Sequence, residues 1–138
     1  MKKIYVNITV ADIQKSVKFY EELGFVKIPE MSDENGVGMF WSEHIFFMLL
    51  SHSFAKNFIE EKEIADMHKF ADAIFSFEFE SKKEVDEMVE KAKNAGARTY
   101  NNKFTDSFDF MYCTSVVDPD GHILEMFYMD VSKFPKKS

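Results

Sequence analysis

The sequence predicts an α+β chain built from two β-α-β-β-β modules. Three observations predict it. An alternating apolar run followed by apolar residues at helical spacing occurs near the start and again from residue 73. Each helical run is stopped by a glycine, Gly24 in the first case and Gly96 in the second. Each half then closes on a strand that opens His-Ile, at residues 44–50 and 122–128. One supersecondary unit used twice is the economical reading of such a repeat.

Ile4, Val6, Ile8 and Val10 fall on one face of a first strand, with Tyr5, Asn7 and Thr9 on the other. Asp12 is a plausible N-cap for the helix marked by Ile13, Val17, Tyr20 and Leu23. A short strand follows at 25–28 and is closed by Pro29. The cluster Ser32-Asp33-Glu34-Asn35-Gly36 turns the chain, and strands are expected at 37–41 and 44–50. Residues 4–50 thus form module one, and 51–72 a linker with a helix from Phe54 to about Ala71. In that linker Phe54, Phe58, Ile59, Met67 and Phe70 give an apolar stripe, and Glu60-Glu61-Lys62-Glu63 a solvated face.

Module two spans 73–130. Phe75, Phe77 and Phe79 alternate with Ser76, Glu78 and Glu80. Ser81-Lys82-Lys83-Glu84 has the form of a capping box, and Val85, Met88, Val89 and Ala92 follow at helical spacing. Strands are expected at 97–100, 110–117 and 122–128, with a polar loop at 101–109 and a flexible tail at 131–138.

Composition narrows the function. Sixteen Phe and nine Met point to a large apolar interior, a cavity or a subunit interface. A net charge of −7 argues against non-specific nucleic-acid binding. No apolar run is long enough to span a membrane, and the alternating N-terminus reads as a strand rather than a signal peptide. The single cysteine, Cys113, points to a reducing compartment, the cytoplasm, and to a small buried residue rather than a nucleophile.

The turn Asp118-Pro119-Asp120-Gly121 feeds an apolar strand with one carboxylate in it, Glu125. Glu125 has three readings: a solvent-facing side chain, a metal ligand, or a general acid/base. His122 lies three residues earlier, so alternation puts it on the other face, and His122 and its counterpart His44 read as structural.

Val10-Ala11-Asp12, Ser16, Phe19-Tyr20, Leu23-Gly24-Phe25, Ala95-Gly96-Ala97 and Asp118-Pro119-Asp120-Gly121-His122 with Glu125 together resemble the vicinal oxygen chelate superfamily. That group contains glyoxalase I, extradiol dioxygenases, and bleomycin- and fosfomycin-resistance proteins. Within it the chain is most similar to small bacterial glyoxalase-like proteins labelled as lactoylglutathione lyases. The resemblance implies a cupped mixed sheet around a divalent metal that chelates substrate oxygens. It places the four metal positions on Tyr5, Phe47, Ile74 and Glu125, of which only Glu125 is a ligand type. It therefore implies a dismantled metal site, with no cofactor assigned and a divalent metal disfavoured. The pocket it implies is lined by Tyr5, Asn7, Thr9, Trp41, Phe47, Ser76, Glu78 and Tyr112 around Glu125. It also implies a homodimer and a small-molecule ligand.

Three functions are open at this point. The first is a metal-independent lyase or isomerase with Glu125, in an apolar pocket, as the base and Tyr5 or Asn7 steadying an oxyanion. The second is a drug-sequestering protein of the bleomycin-resistance kind, suited by its negative charge to a cationic ligand. The third is a regulatory or structural dimer with a vestigial pocket.

Overall fold

The computed structural model describes residues 1–104 and 108–135. Residues 105–107 of the expected loop and 136–138 of the expected tail lie outside the described residues. The chain is α+β, with two four-stranded mixed sheets in two compact units.

The first unit comprises residues 1–70 together with Pro119–Gly121. Its elements are β1 (Ile4–Val10), α1 (Ile13–Glu22), β2 (Val26–Ile28), β3 (Gly36–Ser42) and β4 (Ile45–Ser51). The sheet order is β1-β4-β3-β2, with β1 parallel to β4 and the other pairs antiparallel. Asp12 caps α1 by accepting from the Lys15 N–H at 3.1 Å. Gly24 ends it with φ +101°, a conformation other residues adopt at a cost. The helix buries Val17, Phe19 and Tyr20, the Tyr20 ring 5.7 Å from that of Phe47, and Ile8, Val10, Met39 and Leu49 are buried in the same unit.

Pro119–Gly121 completes this unit. The Asp120 carboxylate accepts from the Ala11 N–H at 2.7 Å and from the Ser16 hydroxyl at 3.2 Å. Ser16 is fully buried, so that acceptor satisfies a hydroxyl that water cannot reach. Gly121 has φ +95°, and a Cβ there would stand 2.5 Å from the Met67 carbonyl carbon. The glycine of the turn is thus required twice, by backbone conformation and by close approach.

The expected helix from Phe54 to Ala71 is not formed. The chain makes α2 (His52–Ala55) and a 3₁₀ turn (Lys56–Phe58), then runs irregularly to residue 73. Helices gain most of their stability from packing an apolar face, and this stripe has little to pack against. Phe58 and Phe70 are 66% and 64% exposed. Glu60 takes a left-handed φ of +56°, which breaks any helical run through the acidic segment.

The second unit comprises residues 71–118 and those from His122 onward. It holds β5 (Ile74–Glu78), α3 (Lys82–Asn94), β6 (Arg98–Tyr100), β7 (Met111–Val117) and β8 (Ile123–Met129). The order β5-β8-β7-β6, with β5 parallel to β8, repeats that of the first sheet. Ser81 caps α3 by accepting from the Glu84 N–H at 3.1 Å. The Glu84 carboxylate reaches back one residue further than a standard capping box, to the Glu80 N–H at 2.8 Å. Val85, Val89 and Ala92 bury the apolar face of α3, and Phe77, Val116, Leu124 and Met126 are buried in the same unit. A 3₁₀ turn at Val131–Lys133 follows β8, within the expected tail. No helix among the described residues is long and apolar enough to cross a membrane.

Candidate functional site

Each sheet has one face turned to its helix and one turned away. In the second sheet the register pairs Ser76 with Glu125 and Ser115 with Glu125, so all three stand on one face. Tyr100 pairs with Ser115 and joins them. The opposite face, marked by Tyr112, Met126 and Tyr128, is the one that meets α3, since the Tyr112 hydroxyl donates to Asp86 of that helix.

Glu125 is half-buried at the middle of the open face. The Asn102 amide donates to its Oε2 at 3.3 Å, and the Ser76 hydroxyl donates to its Oε1 at 3.5 Å. The same amide nitrogen lies 3.1 Å from the Ser115 hydroxyl and 3.3 Å from the Cys113 sulfur. Both of those residues are buried. The surroundings of Glu125 are therefore amide and hydroxyl groups, not the apolar pocket expected from the strand around it. These contacts are long for hydrogen bonds, so the carboxylate is oriented by neutral donors without being locked. Among the described residues it makes no ion pair.

Asn102 and Ser115 were not singled out by the sequence reading. Asn102 lies in the polar run after β6, where no periodicity marks a face. Ser115 carries a signal, because its alternation with Cys113 and its pairing opposite Glu125 follow once the β7–β8 hairpin is registered.

In the first sheet Tyr5, Asn7 and Thr9 pair with Phe46, Met48 and Leu50 on the open face. The Tyr5 ring stacks on Phe46, centroids 4.5 Å apart and 11° from parallel. The Lys3 ammonium lies 5.7 Å from the Phe46 centroid. Asn7 is exposed and Thr9 half-buried.

Three expected pocket residues stand elsewhere. Phe47 faces α1, with its ring 5.7 Å from Tyr20 and 5.0 Å from Phe25. Aligning His44 with His122 put the last strands one residue out of phase, and a one-residue slip reverses every side chain. The open-face counterpart of Glu125 is Met48, which pairs with Asn7 as Glu125 pairs with Ser76. Trp41 shares the strand phase of Met39 and packs on Phe25 at 5.2 Å, in the α1 core. Tyr112 is on the α3 face, three residues from Ser115 and so on the reverse side. Glu78 shares the open face with Ser76 and is exposed, paired with Phe127 rather than with Glu125.

The metal positions implied by the resemblance now read Tyr5, Met48, Ile74 and Glu125. A stacked phenol, a thioether and an aliphatic group do not serve a hard or borderline cation. Among the described residues no three His, Cys, Asp or Glu side chains come together to hold a metal ion. The residues present do not fit the metal, and no chemistry is derived through one.

A family model described as Glyoxalase/Bleomycin resistance protein/Dioxygenase superfamily matches residues 4–126. Among solved structures, a hypothetical protein from S. aureus is 23% identical, with a TM-score of 0.73 over 93% of this chain and 94% of that one. A glyoxalase/bleomycin resistance protein/dioxygenase family enzyme from Burkholderia phytofirmans is 20% identical, with a TM-score of 0.72 over 94% of this chain and 100% of that one. A genomically encoded fosfomycin resistance protein from Listeria monocytogenes is 14% identical, with a TM-score of 0.67 over 99% and 95%. At such identities these likenesses show the fold alone. No curated protein matches the chain.

Proposed function

From the premise that this chain belongs to the Glyoxalase/Bleomycin resistance protein/Dioxygenase superfamily, we propose a small-molecule lyase or isomerase with a degenerate metal site and Glu125 as its general base. One observation carries the reading: Glu125 sits on the sheet face turned away from α3, with Asn102 and Ser76 each in long contact with one of its oxygens. A carboxylate so placed can take a proton from carbon next to a carbonyl. As Glu125 accepts the proton its pull on the Asn102 amide weakens. That amide is then free to donate to the enolate oxygen, where charge develops.

The substrate class is an aldehyde or ketone with an acidic C–H. Its turnover is expected to survive a chelator and to fall at least about 100-fold in Glu125→Gln. Turnover abolished by chelation, or retained in that variant, would overturn the reading.

A second reading, a binding protein without chemistry, draws support from the stacked Tyr5–Phe46 pair on the first sheet's open face. Phe46 is buried beneath Tyr5 with Lys3 5.7 Å from its centroid, so the exposed ring of the pair is that of Tyr5. Calorimetry with planar cationic ligands tests it: heat that disappears in Tyr5→Ala favours it, and no heat with the native chain removes it.

In either reading the protein works as a cytoplasmic homodimer. Cys113, the single cysteine and buried, suits a reducing compartment. The exposed apolar side chains Ile4, Ile45 and Ile74 suit burial against a second copy. A monomer's mass by light scattering would exclude the dimer.

A further inference from the structure

The α3 face of the second unit holds a cavity of about 290 Å³ that neither reading above uses. It lies on the reverse of the sheet from Glu125, because Tyr112 and Tyr128 are a cross-strand pair of the α3 face. Its walls combine aromatic rings with charges of both signs.

The aromatic walls are fixed. Tyr112 is held by its hydroxyl, which donates to Asp86. Phe110 is packed between Phe108 at 5.2 Å and Phe134 at 4.9 Å. The Lys82 ammonium stands 5.5 Å from the Tyr112 centroid. A site of this volume is near the lower end for small-molecule pockets, about 300 Å³, which suits one ring with a short polar arm.

The charges are unevenly committed. Asp130 accepts from the Ser132 hydroxyl at 2.6 Å and from its N–H at 3.1 Å, so it is engaged in capping the following turn. The Ser132 hydroxyl, with its backbone N–H and the charges of Lys133 and Lys82, holds the Asp130 carboxyl below the usual range. Of the carboxylates here, Asp130 is occupied by Ser132 and Asp86 by Tyr112, and neither Lys82 nor Lys133 forms an ion pair among the described residues. Charges of both signs thus stand beside the rings, Lys82 and Lys133 with Asp130. Asp109 also lines the cavity, is exposed, and has no hydrogen bond or ion pair among the described residues.

We propose that this cavity binds a small zwitterion carrying one aromatic ring, an aromatic α-amino acid or close analogue. The ring packs against Phe110, Tyr112 and Tyr128, the carboxylate meets Lys82 and Lys133, and the ammonium meets Asp109. The assignment does not depend on Glu125 chemistry.

The test is a titration of the ¹⁵N-labelled full chain with L-phenylalanine, phenylacetate and phenethylamine, followed by amide chemical shifts. L-Phenylalanine is expected to give saturable shifts at Ser81, Lys82, Phe110 and Tyr128. Phenylacetate and phenethylamine each lack one charge and are expected to bind about tenfold more weakly. Lys133→Ala and Asp109→Asn, both at exposed positions, are each expected to weaken L-phenylalanine by about tenfold. No saturable shift at about 10 mM ligand would overturn the proposal. So would shifts centred on Ser76, Asn102 and Ser115, or an affinity for L-phenylalanine unchanged in both variants. A loss of turnover in Glu125→Gln without change in these shifts would leave this cavity's assignment standing by itself.

Discussion

The Asn102 amide organises the polar part of the second sheet's open face. One nitrogen, with two hydrogens, is shared among Glu125, Ser115 and Cys113. Asn102→Ala removes a donor from a buried hydroxyl and from the carboxylate together. The expected cost is about 1–2 kcal/mol in urea unfolding, the range for losing a hydrogen bond at a buried group. A catalytic role for Glu125 adds a second effect, a fall in kcat larger than any change in KM, since the amide acts on charge that develops during reaction. Unchanged stability in Asn102→Ala would show that the amide's contacts are incidental. Glu125 was legible in the sequence because a carboxylate in an apolar strand needs a reason to be there. Asn102 was not, because a polar loop gives no phase from which to deduce a direction. Phe47 was misplaced for the opposite reason: its phase was inferred from a histidine match, although strand register sets which way a side chain points.

Among the elements, the helices whose apolar stripe is buried and whose end is a glycine formed as expected. Helices α1 and α3 each have an apolar stripe, an oxygen-bearing cap at Asp12 or Ser81, and a left-handed glycine at the end. The segment after β4 also has a cap, Ser51 accepting from the Phe54 N–H at 3.2 Å, but its Phe58 and Phe70 stay exposed and it is largely irregular. Helix α3 is also tied to its sheet through Tyr112 and Asp86. That hydrogen bond, with lesser contributions from burial and from the Asp86 charge, raises the Tyr112 phenol above its ordinary value of 10.0. Below pH 10.0 the phenol keeps its proton in the folded and unfolded chains alike, and the bond to Asp86 is intact. Above it the unfolded chain releases the proton first, so this contribution fades as pH rises through the folded-state value. The ultraviolet phenolate titration of the native chain is expected to include a late step from Tyr112. Tyr112→Phe should remove that late step and flatten the alkaline loss of stability. A late amplitude that is undiminished in Tyr112→Phe would overturn this.

At the level of the whole molecule the repeat was plain in the sequence, but the division of the chain is less simple than a cut between two modules. Pro119–Gly121 belongs to the unit formed by residues 1–70, while the strands on either side of it belong to the other. The sequence showed this turn as a tight reversal and gave no sign of what its second aspartate would bind. Its roles are specific: Asp120 satisfies the Ala11 N–H and the buried Ser16 hydroxyl, and Gly121 lies against the Met67–His68 backbone. A fragment of residues 1–70 therefore lacks an acceptor for a buried donor at the start of α1, and lacks the backbone that fits against Met67. A unit that needs a distant segment to complete it should not fold independently, unlike a self-contained domain. The expected outcome is that the 1–70 fragment shows no cooperative transition by circular dichroism, while the full chain unfolds in one. In the full chain Asp120→Ala is expected to lower stability by about 1–3 kcal/mol, the cost of stranding a buried polar group. If the 1–70 fragment unfolds cooperatively at the same urea midpoint as the full chain, the turn is dispensable, and the repeat is two independent domains rather than one interlocked fold.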